Sequence, residues 1–244
     1  MRETMVIFRR ELRSYFLSPI AYVFGLLFLA IVLFAASSMA LVHGSQASMQ
    51  SFFGMLPWVL LLFLPGLTMR LWAEERKSGT LELLMTFPVQ ISGLVIGKFA
   101  ATLCFLAFLM VLTLGLPVTL DYYGSVDWPP VIAAYVASLL FTGSFVAVGM
   151  FWSSTTRDQI VAMLLSVVSL LVLFVLGYPT LLEAMAGWMP AVVVDVLNGV
   201  SPYKYFESIG RGVLDTRDVV YFACFCGFFL YANALVLQAR RHKG

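Results

Sequence analysis

Hydrophobic positions in this chain do not alternate with polar ones, as they would where one face of each element met water. They gather instead into six predominantly apolar stretches of 19 to 22 residues, at 20–41, 52–71, 99–120, 131–152, 160–178 and 219–237. At about 1.5 Å per residue, each stretch as a helix crosses a hydrocarbon core of roughly 30 Å. The pattern predicts an all-α, polytopic membrane protein with six transmembrane helices. The first stretch follows arginines and ends in small residues, as a secretory leader does. Its apolar run is too long for a leader, so it is read as a retained span.

The connections carry patterns of their own. In residues 1–19, Met5, Phe8, Leu12, Tyr15 and Phe16 fall within about 100° of a helical wheel, and the arginines lie elsewhere on it. This predicts an interfacial helix carrying Arg9, Arg10 and Arg13 at the headgroups and turning at Ser18-Pro19 into the first span. The other reading is a plain basic flank. In residues 179–218, Ser201 is placed to cap a helix that has Pro202 at its first position and Gly210 or Gly212 at its end. Asp215 and Asp218 suit the cap and first turn of the last span. A short outer-side helix therefore precedes that span, unless the segment is an ordered loop.

The connection 72–90 begins with the helix-forming "WAEERKS" and breaks at Ser78-Gly79. Thr80 then caps a second, short helix over 81–87, with Glu82 in its first turn, and Pro88 stops it. Leu81, Leu84 and Met85 share one face, and Glu82 and Thr86 another. Two turns are not stable alone. The segment either docks into a groove on a soluble partner or packs against the chain's own helix ends.

Composition and charge then narrow the class. Only 11% of residues are charged and 61% are hydrophobic, against roughly 25% charged in soluble domains. Twelve of the fifteen Lys and Arg residues fall on the side of residues 1–19, 70–98, 153–159 and the tail. By the positive-inside rule both termini are cytoplasmic. Apart from Arg70 at the very end of the second, the spans have no acid, base or histidine, which argues against proton-coupled transport and intramembrane proteolysis. Thr68, Thr102, Thr113 and Asn233 are read as helix–helix hydrogen-bonding groups rather than a substrate site. Cys104, Cys224 and Cys226 have neither disulfide nor metal-ligand spacing. No catalytic residue, metal ligand or nucleic-acid-binding patch is found. "GLVIGK" (residues 93–98) has three residues between its glycines where a phosphate loop needs four, and Phe99 where Ser or Thr must meet magnesium. Any nucleotide energy has to come from another chain.

The segment "AEERKSGTLELLMTFPV", with "GK" before the third span, resembles the signature of type-2 ABC transporter permeases. The entry "FRRELRSYFLSPIAY" and the late "YFESIGRGVLDTRDVVYF" extend the resemblance over nearly the whole chain as a single transmembrane domain, 1–244. "PW…FLPGLTMRLWAEE" with the late motif looks most like the gliding-motility-associated permease, with the nitrous-oxide-reductase accessory permease as a cousin. The resemblance implies a cytoplasmic coupling helix docking on an ABC ATPase, with ATP and Mg on that partner and no cofactor on this chain. Carried over by position, Glu74, Glu75, Gly79, Thr80, Glu82, Leu83, Leu84, Met85 and Thr86 form the coupling region. Arg157 and Asp158, in the turn "SSTTRDQ", form a smaller contact, and Arg9 and Pro19 belong to the entry helix. It further implies two ATPase copies, a second permease subunit, and an exporter in a bacterial cytoplasmic membrane. The alternative is a non-transporting scaffold that anchors the ATPase and holds an outer-side accessory protein through residues 179–218.

Overall fold

The computed structural model describes residues 2–42, 49–81, 90–123, 126–187, 189–210 and 215–241. Among them every regular element is a helix. Helix α1 (Arg2–Leu17) breaks at Ser18 and gives way to α2 (Pro19–Val42), as the Ser-Pro step predicts. Then come α3 (Met49–Thr68), α4 (Arg70–Lys77), α5 (Ile91–Leu112), α6 (Gly115–Tyr123) and α7 (Trp128–Thr155). They are followed by α8 (Gln159–Val175), α9 (Pro179–Ala186), α10 (Ala191–Val200), α11 (Pro202–Gly210) and α12 (Thr216–Arg241).

Five helical stretches are long and apolar enough to cross a membrane. A sixth crossing is made if α8 and α9, bent by 72°, count as one broken span. By itself α8 has 17 residues, or about 25 Å, near the lower limit for a crossing. The bend falls where the fifth apolar stretch was expected to run straight to residue 178. Gly177 lies at the bend, where a Cβ would collide with Ser201. Pro179 then starts α9 in the first helical turn, where a missing N–H costs nothing.

Helix α7 is the axis of the bundle, packing against α3, α4, α5, α8, α11 and α12. All ten residues from Phe141 to Met150 are buried. Small side chains permit this: a Cβ on Gly149 would meet Thr68 Oγ1 at 2.1 Å. Thr68 turns that hydroxyl to the Leu64 carbonyl of its own helix (2.8 Å), not to another helix as expected. Thr102 and Thr113 do bond between elements, to the hydroxyls of Tyr15 (2.9 Å) and Tyr135 (3.0 Å). Asn233 is fully buried, and neither of its amide atoms has a partner among the described residues.

The segment before the last span is more helical than its sequence signals. Helix α11 runs over the range Ser201, Pro202 and Gly210 marked out, and Ser201 Oγ accepts from Tyr203 N at 3.3 Å. Asp215 Oδ1 accepts from Arg217 N at 3.0 Å, the expected cap of α12. Helices α9 and α10 were not anticipated, although Pro179 and Pro190 sit at their starts. Phe206 of α11 lies 5.2 Å from the ring of Phe141. That residue is fourteen positions from the α7 end at Thr155, about 21 Å along the helix. Helix α11 therefore sits among the spans, not on top of them.

Candidate functional site at the basic end of the bundle

Helix α5, the third span, starts eight residues before its apolar stretch, at Ile91 instead of 99. Those extra two turns contain "GLVIGK", and their function is packing. A Cβ on Gly97 would stand 3.0 Å from Ile7 Cγ2 and 3.1 Å from the Thr4 carbonyl; one on Gly93 would meet Thr4 Oγ1 at 2.9 Å. The glycine pair, four apart, is a notch into which α1 settles alongside α5. Contact continues upward in parallel register: Tyr15 stacks on Phe105 at 5.0 Å, and Phe16 packs edge-on to Phe105 and Phe108. Part of the apolar face of α1 is thus taken up by the chain's own helix, while Met5 and Phe16 of that face stay partly exposed, as do Arg9, Arg10 and Arg13. Burial raises the Tyr15 phenol pKa, against the lowering effect of its hydrogen bond to Thr102.

One residue past the notch, Lys98 is 2% exposed. Its ammonium donates to Glu75 Oε1 (2.8 Å), Glu11 Oε1 (3.1 Å) and the Leu71 carbonyl (3.1 Å). Those three acceptors use all three protons of the ammonium. The Trp72 ring lies 5.0 Å from the same nitrogen. A lone buried ammonium would lose its proton or unfold its surroundings; two carboxylates and a carbonyl make the charged form tenable. Lys98 thereby joins α1, α4 and α5 at one atom. In the sequence it stood as a topological charge, as the lysine of a failed phosphate loop and in the "GK" of the family resemblance, not as a buried clamp. The signal available was a glycine pair in helical spacing followed at once by a lone lysine.

Helix α4 continues the second span out of the bundle and is fixed on its other flank by α7. Ser153 Oγ accepts from Trp72 N (3.0 Å) and Ala73 N (3.2 Å) and donates to the Met69 carbonyl (2.8 Å). Arg76 donates to the carbonyls of Thr156 (2.6 Å) and Ser154 (3.3 Å), and Arg240 to that of Thr155 (2.8 Å). Cations on the last carbonyls of α7 satisfy groups that the helix leaves unpaired. Arg157 stands within electrostatic reach of both guanidiniums, so three arginines from three elements crowd this face. The N-terminal helix, the second connection, the α7–α8 turn and the end of α12 all meet at this end.

The expected coupling residues divide. Glu75 is turned inward to Lys98, and Glu74 is exposed. Helix α4 ends at Lys77, and Gly79 takes φ 72°, a left-handed turn that glycine adopts without strain. Thr80 Oγ1 bonds backward, to the Glu75 carbonyl (3.2 Å) and the Ser78 hydroxyl (2.9 Å). Leu81 is buried in a cluster with Trp72, Leu94 and Leu237, so the chain folds back under the bundle after Gly79. The helix expected over 81–87 lies, from Glu82 onward, outside the described residues, with Leu83, Leu84, Met85 and Thr86. Asp158 serves as the cap of α8, accepting from Ile160 N at 2.8 Å, and Arg157 is exposed beside it.

Among the described residues, α1, α4, α5, α7 and α12 meet here in one hydrogen-bonded junction. No curated protein matches the chain. The family described as ABC-2 family transporter protein matches residues 5–218, which takes in the α1–α5 notch, Lys98, α4 and the helices before the last span. With most of its length matched and its apolar helices bundled as a multi-pass membrane protein, this chain belongs to the ABC-2 transporter family, the membrane permease components of ABC transporters.

Proposed function

We propose that the chain is the permease subunit of an ABC exporter in a bacterial cytoplasmic membrane, with both termini and the basic end on the cytoplasmic side. A separate ABC ATPase, present in two copies with ATP and Mg, docks on residues 78–90 and on the Arg157–Asp158 turn. A second permease subunit, identical or homologous, completes the pathway. Within the family, the motif set allies the chain with the gliding-motility and nitrous-oxide-accessory branch.

The observation that carries this reading is the fixing of α4. Its root is bonded to α5 and α1 through Lys98 and to α7 through Ser153 and Arg76. Breaking a buried ion pair one partner at a time costs about 3–5 kcal/mol, so displacement of the emerging segment moves three helices together. A push by an ATPase at residues 78–90 would therefore reach α1 and the second, third and fourth spans as one motion.

The test is co-purification of the full chain with its cognate ATPase, in wild type and in Glu82→Arg with Leu84→Asp. Expected are a stable complex in the first and its loss in the second. If the ATPase does not co-purify with wild type, or binds the double variant equally well, the docking role fails. A complex that turns over ATP in vesicles yet moves no candidate cargo would replace the exporter with a scaffold.

A further inference from the structure

Beside Lys98, between α1, the start of α2 and the α3–α4 junction, lies a cavity of about 310 Å³, within the size range of small-ligand sites. Its walls change character with depth. Arg10, Arg70 and Glu74 line the end toward water, and Ile20, Phe24 and Leu67 the end that follows α2 into the membrane. Tyr22 and Val23, on the outer side of the same helix turn, are 54% and 63% exposed, so the chain leaves this part of α2 uncovered.

Two buried atoms in residues lining the cavity lack hydrogen-bond partners: the donor Arg70 Nε and the acceptor Glu75 Oε2. The protons of Lys98 are already committed, so it cannot serve Glu75 Oε2. Arg70 and Glu74 are one helical turn apart, a spacing that favours pairing. Yet the ion pairs found among the described residues are those of Lys98 alone. Both atoms lie just behind the cavity wall, so a ligand reaches them once the two side chains turn, and the wall then offers an unsatisfied cation beside unsatisfied carboxylate oxygen. A simple anion would serve Arg70 and leave Glu75 Oε2 orphaned among acids, and a simple amine would do the reverse. Orphaned groups of both signs, next to an apolar slot, call for a zwitterion with a tail.

We propose that this cavity binds a glycerophospholipid whose headgroup carries a primary amine. Its phosphate lies on Arg70 and Arg10, its ammonium on Glu74 and Glu75 Oε2, and an acyl chain along Ile20 and Phe24. Phosphate and ammonium two carbons apart match the single-turn offset of Arg70 from Glu74. A choline headgroup brings no N–H for Glu75 Oε2, and a glycerol headgroup brings no cation at all. The site thus selects on the amine as well as the phosphate.

The experiment uses the full-length chain, purified and delipidated in detergent, offered equal amounts of phosphatidylethanolamine, phosphatidylcholine and phosphatidylglycerol, and read by native mass spectrometry. One phosphatidylethanolamine per chain is expected, preferred roughly tenfold, the equivalent of one charged hydrogen bond. Arg70→Gln should abolish retention, Arg10→Gln weaken it, and Glu74→Gln reduce the preference over choline. Arg10 and Glu74 are exposed, so those two variants keep the test valid if Arg70→Gln fails to fold. Retention against excess soluble glycerophosphoethanolamine supports the bilayer as the source of the ligand. Displacement by it places the source in solution and overturns the lipid assignment. Equal retention of all three lipids, or retention unchanged in the variants, overturns the site. Absence of bound lipid in wild type also overturns it and leaves water on Arg70 and Glu75.

Discussion

At the end that carries both termini, α1, α4 and α5 converge on the ammonium of Lys98 through contacts of 2.8 to 3.1 Å. At the opposite end, α11 is held against α7 and α8 by rings. Tyr203 meets Phe174 at 4.7 Å, Phe206 meets Phe141 at 5.2 Å, and Tyr205 stacks on Tyr221 of α12 at 3.8 Å. The difference lies in direction and in reference state. A buried ammonium between carboxylates is bound to particular atoms, and every partial loss leaves a charge unpaired in low dielectric. Rings in a membrane bundle gain packing but little net transfer energy, since lipid tails are as apolar as they are. The basic end therefore moves as a block, while the aromatic end can slide with smaller losses.

The largest expected effect breaks the directed end. Lys98→Met should cost about 3–5 kcal/mol, because Glu11 and Glu75 lose their shared counter-charge while still buried. Adding Glu11→Gln and Glu75→Gln to it should recover most of that loss, since no uncompensated charge then remains. Thermal unfolding in detergent, or denaturant titration, reads both. A single substitution as mild as the triple one would mean that the ions are solvated and the clamp is not what joins the helices.

The aromatic end should respond less. Phe206→Ala leaves a hole beside Phe141 and Tyr203 and forfeits dispersion contacts, with little lost transfer energy. About 1–3 kcal/mol is expected, below the usual cost in a water-soluble core. Phe206→Leu should keep most of the stability. If Phe206→Ala costs more than Lys98→Met, the contrast between the two ends is inverted.

The same contrast decides what could be read from the sequence. The spans were legible because crossing a hydrocarbon core needs a long apolar run, whatever the tertiary packing. The break at Ser18-Pro19, the helix over 202–210, the cap at Asp215 and the turn at Gly79 were legible because Pro, Ser, Asp and Gly act on their own backbone. The Lys98 cluster was not, because its members stand at 11, 75 and 98 and only the packed fold makes them neighbours. Glu75 illustrates this: its position beside the coupling segment points outward to a partner, and the structure turns it inward. The contact at the bend after α8 was hidden for a similar reason, since Gly177 matters only once Ser201 comes to rest on it.

The finest probe of the directed end lies in the notch beneath it. Gly97→Ala puts a methyl 3.0 Å from Ile7 Cγ2 and 3.1 Å from the Thr4 carbonyl. A backbone oxygen cannot rotate away, so α1 has to lift. Overpacking of this kind costs about 1–3 kcal/mol, offset by roughly 1 kcal/mol of helix propensity gained over glycine. A net loss near 1 kcal/mol is expected. At Gly93 the nearest atom is the Thr4 hydroxyl, at 2.9 Å, and that side chain can turn to another rotamer. Gly93→Ala should therefore be close to neutral. The pair isolates the fit of α1 from its charge: if Gly97→Ala is neutral as well, Lys98 holds α1 without help from the notch. A loss at Gly97 that persists in the Lys98→Met background would show that packing and ion pairing contribute separately.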